Sequence, residues 1–151
     1  MTLTQKESSL LKDLTGSEEL CIQRYTKHSE AAHDPQLKNL FSSLASAERE
    51  HLSTLNRIKE GTVPSPTASN AGLPTFTATY TGTSTSADAK EDAYLCTDVL
   101  AGEKQVSHLY DTCIFEFADE GVRRTLSSIQ EQEQMHGKMI YDYMKTNGMY
   151  Q

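Results

Sequence analysis

The stretch Glu48-Arg49-Glu50-His51 is answered in the second half of the chain by Glu133-Gln134-Met135-His136, so Glu-x-x-His occurs twice at an offset of 85 (133 − 48). Two more glutamates, Glu18 and Glu103, keep the same offset, and each stands equally far ahead of its own motif. On a helix, residues i and i+3 share a face, so each motif aims a carboxylate and an imidazole the same way. Two halves of one chain thus deliver four carboxylates and two imidazoles symmetrically. This is the donor set of a two-metal site inside a four-helix bundle.

A single Glu-x-x-His carries little weight. With 13 glutamates in 151 residues, any histidine has roughly a one-in-ten chance of a Glu three positions before it. Glu30 and His33 form such a decoy: they sit one position off the apolar seam, and Phe115 and Ala118 replace them in the other half. A bland polar layer is the alternative for the six repeated residues. Four carboxylates facing one another in a core would each lose several kcal/mol of hydration and repel their neighbours. No Lys or Arg stands at a seam position to neutralise them. Two divalent cations would cancel the charge, and neutral imidazoles would complete the ligation.

Working outward from the motifs, apolar residues step by three and four along four segments. Thr4-Gln5-Lys6-Glu7 reads as a capping box that opens a first helix, over about 5–33, with Leu14, Glu18, Cys21, Tyr25, His28 and Ala32 inward. Asp34-Pro35 starts a second, 35–60, seamed by Leu37, Phe41, Leu44, Glu48, His51, Leu55 and Ile58 and ended by Gly61. A start signal at Asp88 to Glu91 opens a third, 88–118, with Val99, Glu103, Val106, Tyr110, Cys113 and Phe117. The fourth, 120–147, carries Val122, Leu126, Ile129, Glu133, His136, Ile140 and Tyr143 before Asn147-Gly148. The offset of 85 maps Tyr25 onto Tyr110, Asp34 onto Asp119 and Leu44 onto Ile129, so the chain is two helical hairpins of one design. At about 1.5 Å per residue, the four carboxylates fall at one level near mid-bundle.

Residues 61–87 join the hairpins and are rich in Thr, Ser, Pro and Gly. Antiparallel neighbours are usually joined by about 2–8 residues, so this connection is expected to cross over along the bundle. Phe76 and Tyr80, spaced among threonines, are expected to lie extended against it. The result is an all-α fold: one four-helix bundle domain, 1–151, built of two hairpins and a long crossover.

Roles within the site follow from position. Glu48 and Glu133 are the expected bridging ligands, Glu18 and Glu103 the terminal ones, and His51 and His136 bind one metal each. Tyr25 and Tyr110, two turns along the seam, can reach a carboxylate or the second histidine nitrogen; buried tyrosines bonded elsewhere are the alternative. Glu19, Glu50 and Glu131 read as surface charges, His28 as a satisfied interior histidine, and His108 as a surface one. Gly16 and Gly102 are expected to allow close helix approach, with a helix break as the alternative at Gly16. Oxygen-rich ligation without thiolate suits iron or manganese, with zinc as an adventitious occupant.

The formal net charge of −7, with no basic cluster, argues against nucleic acid or anionic lipid as a partner. No apolar run is long enough to span a bilayer, and Met1 to Lys12 lacks the apolar stretch of a signal peptide. A cytoplasmic site of synthesis is the expectation. Cys21, Cys96 and Cys113 are an odd number without a Cys-x-x-Cys pair, which argues for reduced, half-buried thiols.

The pattern Glu18, Glu48-x-x-His51, Glu103, Glu133-x-x-His136 resembles the ferritin-like superfamily, including rubrerythrins and bacterioferritins, over the whole chain. That resemblance implies a di-iron carboxylate site that reacts with dioxygen or peroxide and an up-down-down-up helix order. This sequence has no rubredoxin-type Cys-x-x-Cys module as full rubrerythrins do, and, with few residues after the fourth segment, it is not expected to form the fifth helix or the storage cage of cage-forming ferritins. Further residues narrow the likeness: Leu3-Thr4-Gln5-Lys6-Glu7, Asp34-Pro35-Gln36-Leu37 with Leu40-Phe41, and Tyr143-Met144-Lys145 to Asn147-Gly148-Met149-Tyr150. With the helix from Glu133 to His136, these are similar to the spore coat protein F family (Coat F domain). This likeness implies expression during sporulation and a place in, or on the way to, the spore coat, with the mother cell or the coat as the location and coat proteins as partners. The expectation is a di-iron oxidoreductase, with a structural coat component whose metals only stabilise the bundle as the competing class. Tyr141 and Met144 offer a helical surface for a second copy.

Overall fold

The computed structural model describes residues 1–65, 75–82 and 86–150. Four helices form: α1 (Gln5–Ala31), α2 (Pro35–Lys59), α3 (Ala87–Glu116) and α4 (Glu120–Thr146), with no strand among the described residues. Each begins at a side-chain cap that satisfies backbone N–H groups left without an intrahelical partner. Thr4 and Glu7 make the expected capping box, Asp34 caps α2 ahead of Pro35, and Asp119 caps α4. The cap of α3 is Ser86, two residues before the expected start signal, and it accepts from the Ala89 N–H.

α1 and α3 end two residues sooner than their periodicity predicts, at Ala31 and Glu116. A mirrored pair of buried acids explains both ends. Asp92 of α3 accepts from the His33 and Asp34 N–H groups at 2.8 and 3.0 Å, at the α1–α2 junction. Glu7 of α1 accepts from the Ala118 N–H at 3.0 Å, at the α3–α4 junction. Glu7 and Asp92 are themselves related by the offset of the repeat, as are His33 and Ala118. Each carboxylate takes up donors that one more helical turn would otherwise occupy, so the helix stops and the chain reverses.

Contacts fix the packing order. α1 runs antiparallel to α3, since Tyr25 meets Glu103 while Tyr110 meets Glu18. α2 runs antiparallel to α4, since Asp34 meets Tyr143 while His51 meets Glu133. The order is therefore up-down-down-up. The connection agrees at both ends: the Pro64 carbonyl accepts from Thr125 near the start of α4, and Thr81 bonds Asn147 at its end. Residues 66–74 and 83–85 of the expected 61–87 crossover lie outside the described residues. Phe76 and Ala78 pack against the core, whereas Tyr80, expected inward, is 63% exposed.

Every seam residue is buried except His28, which is half-buried and bonds Asp98 at 2.7 Å. The core falls into two apolar clusters, one around Leu14, Leu55, Phe117 and Leu126 and the other around Phe41, Leu44, Val99 and Ile140. A polar layer separates them. Met144, expected as a pairing surface, is 2% exposed and belongs to the second cluster. Gly16 sits inside an unbroken α1 with nothing near the place of a Cβ, so neither a close approach nor a break occurs there. Gly102 does admit a close approach, that of the Arg24 guanidinium. The three cysteines are free and buried.

Candidate metal centre

The polar layer consists of the six repeated residues, all of them buried. Each Glu-x-x-His motif lies on one face of its helix, and the capped helix starts at Asp34 and Asp119 set the two motifs at the same level. Two clusters result: Glu18, Glu48, His51 and Glu133 form one, and Glu48, Glu103, Glu133 and His136 form the other. Within each, one donor atom per residue lies within 4.8 Å of all the rest. Glu48 and Glu133 belong to both.

Both imidazoles turn Nδ1 toward the carboxylates. His51 Nδ1 lies 2.7 Å from Glu133 Oε1, 3.0 Å from Glu48 Oε2 and 3.8 Å from Glu18 Oε1. His136 Nδ1 lies 3.1 Å from Glu48 Oε1, 3.4 Å from Glu103 Oε1 and 3.5 Å from Glu133 Oε2. The rings stack with centroids 5.6 Å apart. Tyr25 donates its hydroxyl to Glu103 at 2.5 Å, and Tyr110 donates to Glu18 at 2.5 Å. Each tyrosine of one hairpin thereby holds the outer glutamate of the other.

Electrostatics show what the layer lacks without cations. Burial, reinforced by the charges of Glu48 and Glu133, pushes the Glu18 carboxyl well above the usual carboxylate range. Burial would lower His51, but hydrogen bonds from its ring to Glu133 and Glu48, together with their charges, outweigh it and raise it to about 10. His136 is raised in the same way, its burial outweighed by Glu103 above all. Glu18 Oε2, Glu103 Oε2, Glu133 Oε2 and His136 Nε2 are buried without a hydrogen-bond partner. Buried polar atoms are paired in the great majority of cases, and orphans gathered at one point mark a missing ligand. Among the described residues, no Lys or Arg makes an ion pair with any of the four glutamates. The donor set fits a pair of divalent ions in charge, atom type and convergence.

Sequence periodicity missed Gln132. Its amide oxygen accepts from His51 Nε2 at 2.6 Å, which fixes the ring with Nδ1 toward the carboxylates, where a cation that displaced the Nδ1 proton would find a nitrogen ligand. The repeat itself concealed it, because Ala47 stands at the matching position beside Glu48. The decoy pair separates as expected. His33 is exposed and bonds Glu91 at 2.5 Å, and Glu30 is exposed as well. Glu19, Glu50, Glu131 and His108 are exposed. No described helix is long and apolar enough to cross a membrane.

No curated protein and no solved structure matches the chain. Residues 91–151, which hold most of α3, all of α4 and the C-terminal tail, match the family model described as the Coat F domain, and this supports kinship with the spore coat protein F family.

Proposed function

We propose that the protein is a ferritin-like di-metal carboxylate protein of spore-coat-F type, with iron as its metal and dioxygen or peroxide as its oxidant. One observation carries this reading: two Glu/His clusters share Glu48 and Glu133 in a buried layer that has orphaned oxygens and no Lys or Arg counterion among the described residues. Glu48 and Glu133, which belong to both clusters, would hold both ions, Glu18 and Glu103 would hold one each, and His51 and His136 would give one nitrogen to each ion. A pair of ferrous ions held by these residues would supply two electrons to the oxidant, one from each ion. The chain's own residues do the rest. Tyr25 and Tyr110 hold the outer carboxylates in place, Gln132 fixes the ring of His51, and the apolar clusters above and below exclude water.

The Coat F match favours a second reading, a coat component in which the metals only tie the four helices together. Anaerobic loading with ferrous iron, followed by air or peroxide, separates the two. Near-ultraviolet absorbance typical of oxo-bridged ferric iron supports redox chemistry. Full loading without that change supports the structural role, and protein that takes up no metal sinks both.

A further inference from the structure

The two hairpins close over the site unequally. Between α3 and α4 a cleft of about 510 Å³ leads inward to Glu103 and Glu133. Its walls include Ser107 from α3 and Gly137 from α4. The offset of the repeat places Ile22 and Leu52 at the matching positions of α1 and α2, and both are half-buried. Where one hairpin has two branched apolar side chains, the other has a hydroxymethyl group and a hydrogen atom.

The glycine answers to no demand of the backbone. Gly137 lies inside α4, its φ is not positive, and a Cβ there would meet only Leu100 Cδ1, at an ordinary 3.6 Å. Helix interiors disfavour glycine relative to alanine by about 1 kcal/mol, so the missing side chain is spent on open space. Gln130 bridges the two walls by donating to the Ser107 carbonyl at 2.9 Å, whereas its counterpart in the first hairpin is Ala45. Exposure follows the same asymmetry: Glu103 is 4% exposed and its counterpart Glu18 is 0%.

We infer that this cleft is the passage by which divalent metal ions reach the buried carboxylates, an inference that rests on the di-metal reading above. Lys104 and Asp111 at the rim offset one another in formal charge, so the glutamates at the floor set the sign of the field and draw cations inward. The Gln130 amide and the Asp111 carboxylate offer oxygen ligands to an ion that is shedding its water. The first hairpin offers no such pair of small wall residues at the matching positions.

The test replaces the wall residues with those of the other half, Gly137→Leu and Ser107→Ile, and follows uptake of Co²⁺ by stopped-flow absorbance. With the cleft filled, uptake waits for local opening of the helix pair, and its rate falls by about tenfold or more. Equilibrium affinity and a stoichiometry of two ions stay as in the native protein. An unchanged rate in a folded double variant overturns the inference, and so does a slower rate that merely tracks a loss of affinity. Should the double variant fail to fold, Ser107→Ile alone gives the same readout from a residue remote in sequence from His136. Native protein that takes up no Co²⁺ overturns the di-metal reading itself, which keeps the two failures apart.

Discussion

The α1–α2 and α3–α4 hairpins share a design and differ in finish. Their shared parts include Asp34 and Asp119 as helix caps and two sets of reciprocal contacts. Tyr25 with Glu103 mirrors Tyr110 with Glu18, and Glu7 at one chain reversal mirrors Asp92 at the other. Each of these reciprocal contacts crosses from one hairpin to the other, so neither half is satisfied alone. The unshared parts are local. Gln132 supports His51 while Ala47 leaves His136 Nε2 without a partner, and Gly137 and Ser107 open a wall that Leu52 and Ile22 occupy in the first half. The repeat at an offset of 85 accounts for the shared architecture, and departures from it make the two Glu/His clusters unequal.

The harshest way to break this comparison is to remove the residues both clusters share. Glu48→Ala combined with Glu133→Ala is expected to abolish binding of both ions, whereas Glu18→Ala or Glu103→Ala removes one. Metal analysis of protein loaded and then desalted counts them. Native protein with free ion at 100 times its dissociation constant gains about 2.7 kcal/mol for each site, a gain the double variant lacks in a denaturant titration. Equal stoichiometry in all variants would refute the assignment of roles.

Gln132→Ala tests the inequality of the two positions. Loss of a partner that orients a ligating histidine typically weakens the metal about 10–100-fold, and here only the ion beside His51 should weaken. Two-step binding isotherms resolve this. Ala47→Gln sharpens the point from the other side, because it places an amide at the position matched to Gln132 and should tighten the ion beside His136. A uniform weakening of both ions by Gln132→Ala would erase the distinction.

Glu7→Gln probes the mirrored chain reversals. Hydrogen bonds from the backbone of Thr4 and Ala118 hold the Glu7 carboxyl below the usual carboxylate range. A depressed folded value means that its contribution is present above the unfolded value and is lost as pH falls through the folded one. Glu7→Gln is therefore expected to reduce stability by about 1–2 kcal/mol at neutral pH and to flatten the decline on acidification. Asp92→Asn should destabilise the opposite end by a similar amount. Chemical denaturation at pH 7 and near pH 3 reads both effects. A Glu7→Gln protein with an unchanged acid limb would show that these backbone bonds are not what lowers the carboxyl.

The smallest effect is expected at Gly16, where no neighbour lies within 4 Å of an added Cβ. Gly16→Ala should stabilise the protein by about 0.5–1 kcal/mol through helix propensity alone, measured as a rise in the denaturation midpoint. A loss of stability would show that α1 depends on a contact the structure does not contain.

How legible the molecule was in its sequence depended on whether a feature repeats. Glu18, Glu48, His51, Glu103, Glu133 and His136 stood out because each has a partner at the common offset on an apolar seam, and the structure brings all six into one layer. Gln132 stayed hidden because its counterpart is Ala47, and no rule of periodicity marks an amide beside a ligand. Periodicity runs past the ends of α1 and α3 because the donors that stop them bond to acids of a different helix. Met144 and Tyr80 were misplaced for a related reason: helical spacing gives a direction but not which surfaces a connecting segment or a neighbouring helix will cover.

Four amphipathic helices, their caps and the common height of six donors were already written in the order of the residues. All of these follow from a period of about 3.6 residues and a rise of about 1.5 Å per residue, and they need no knowledge of partners. Packing settled which tyrosine holds which glutamate, which histidine has a supporting amide and which wall of the bundle stays open. Those are contacts between segments far apart along the chain, such as Tyr110 with Glu18, and their geometry exists only once the helices have come together.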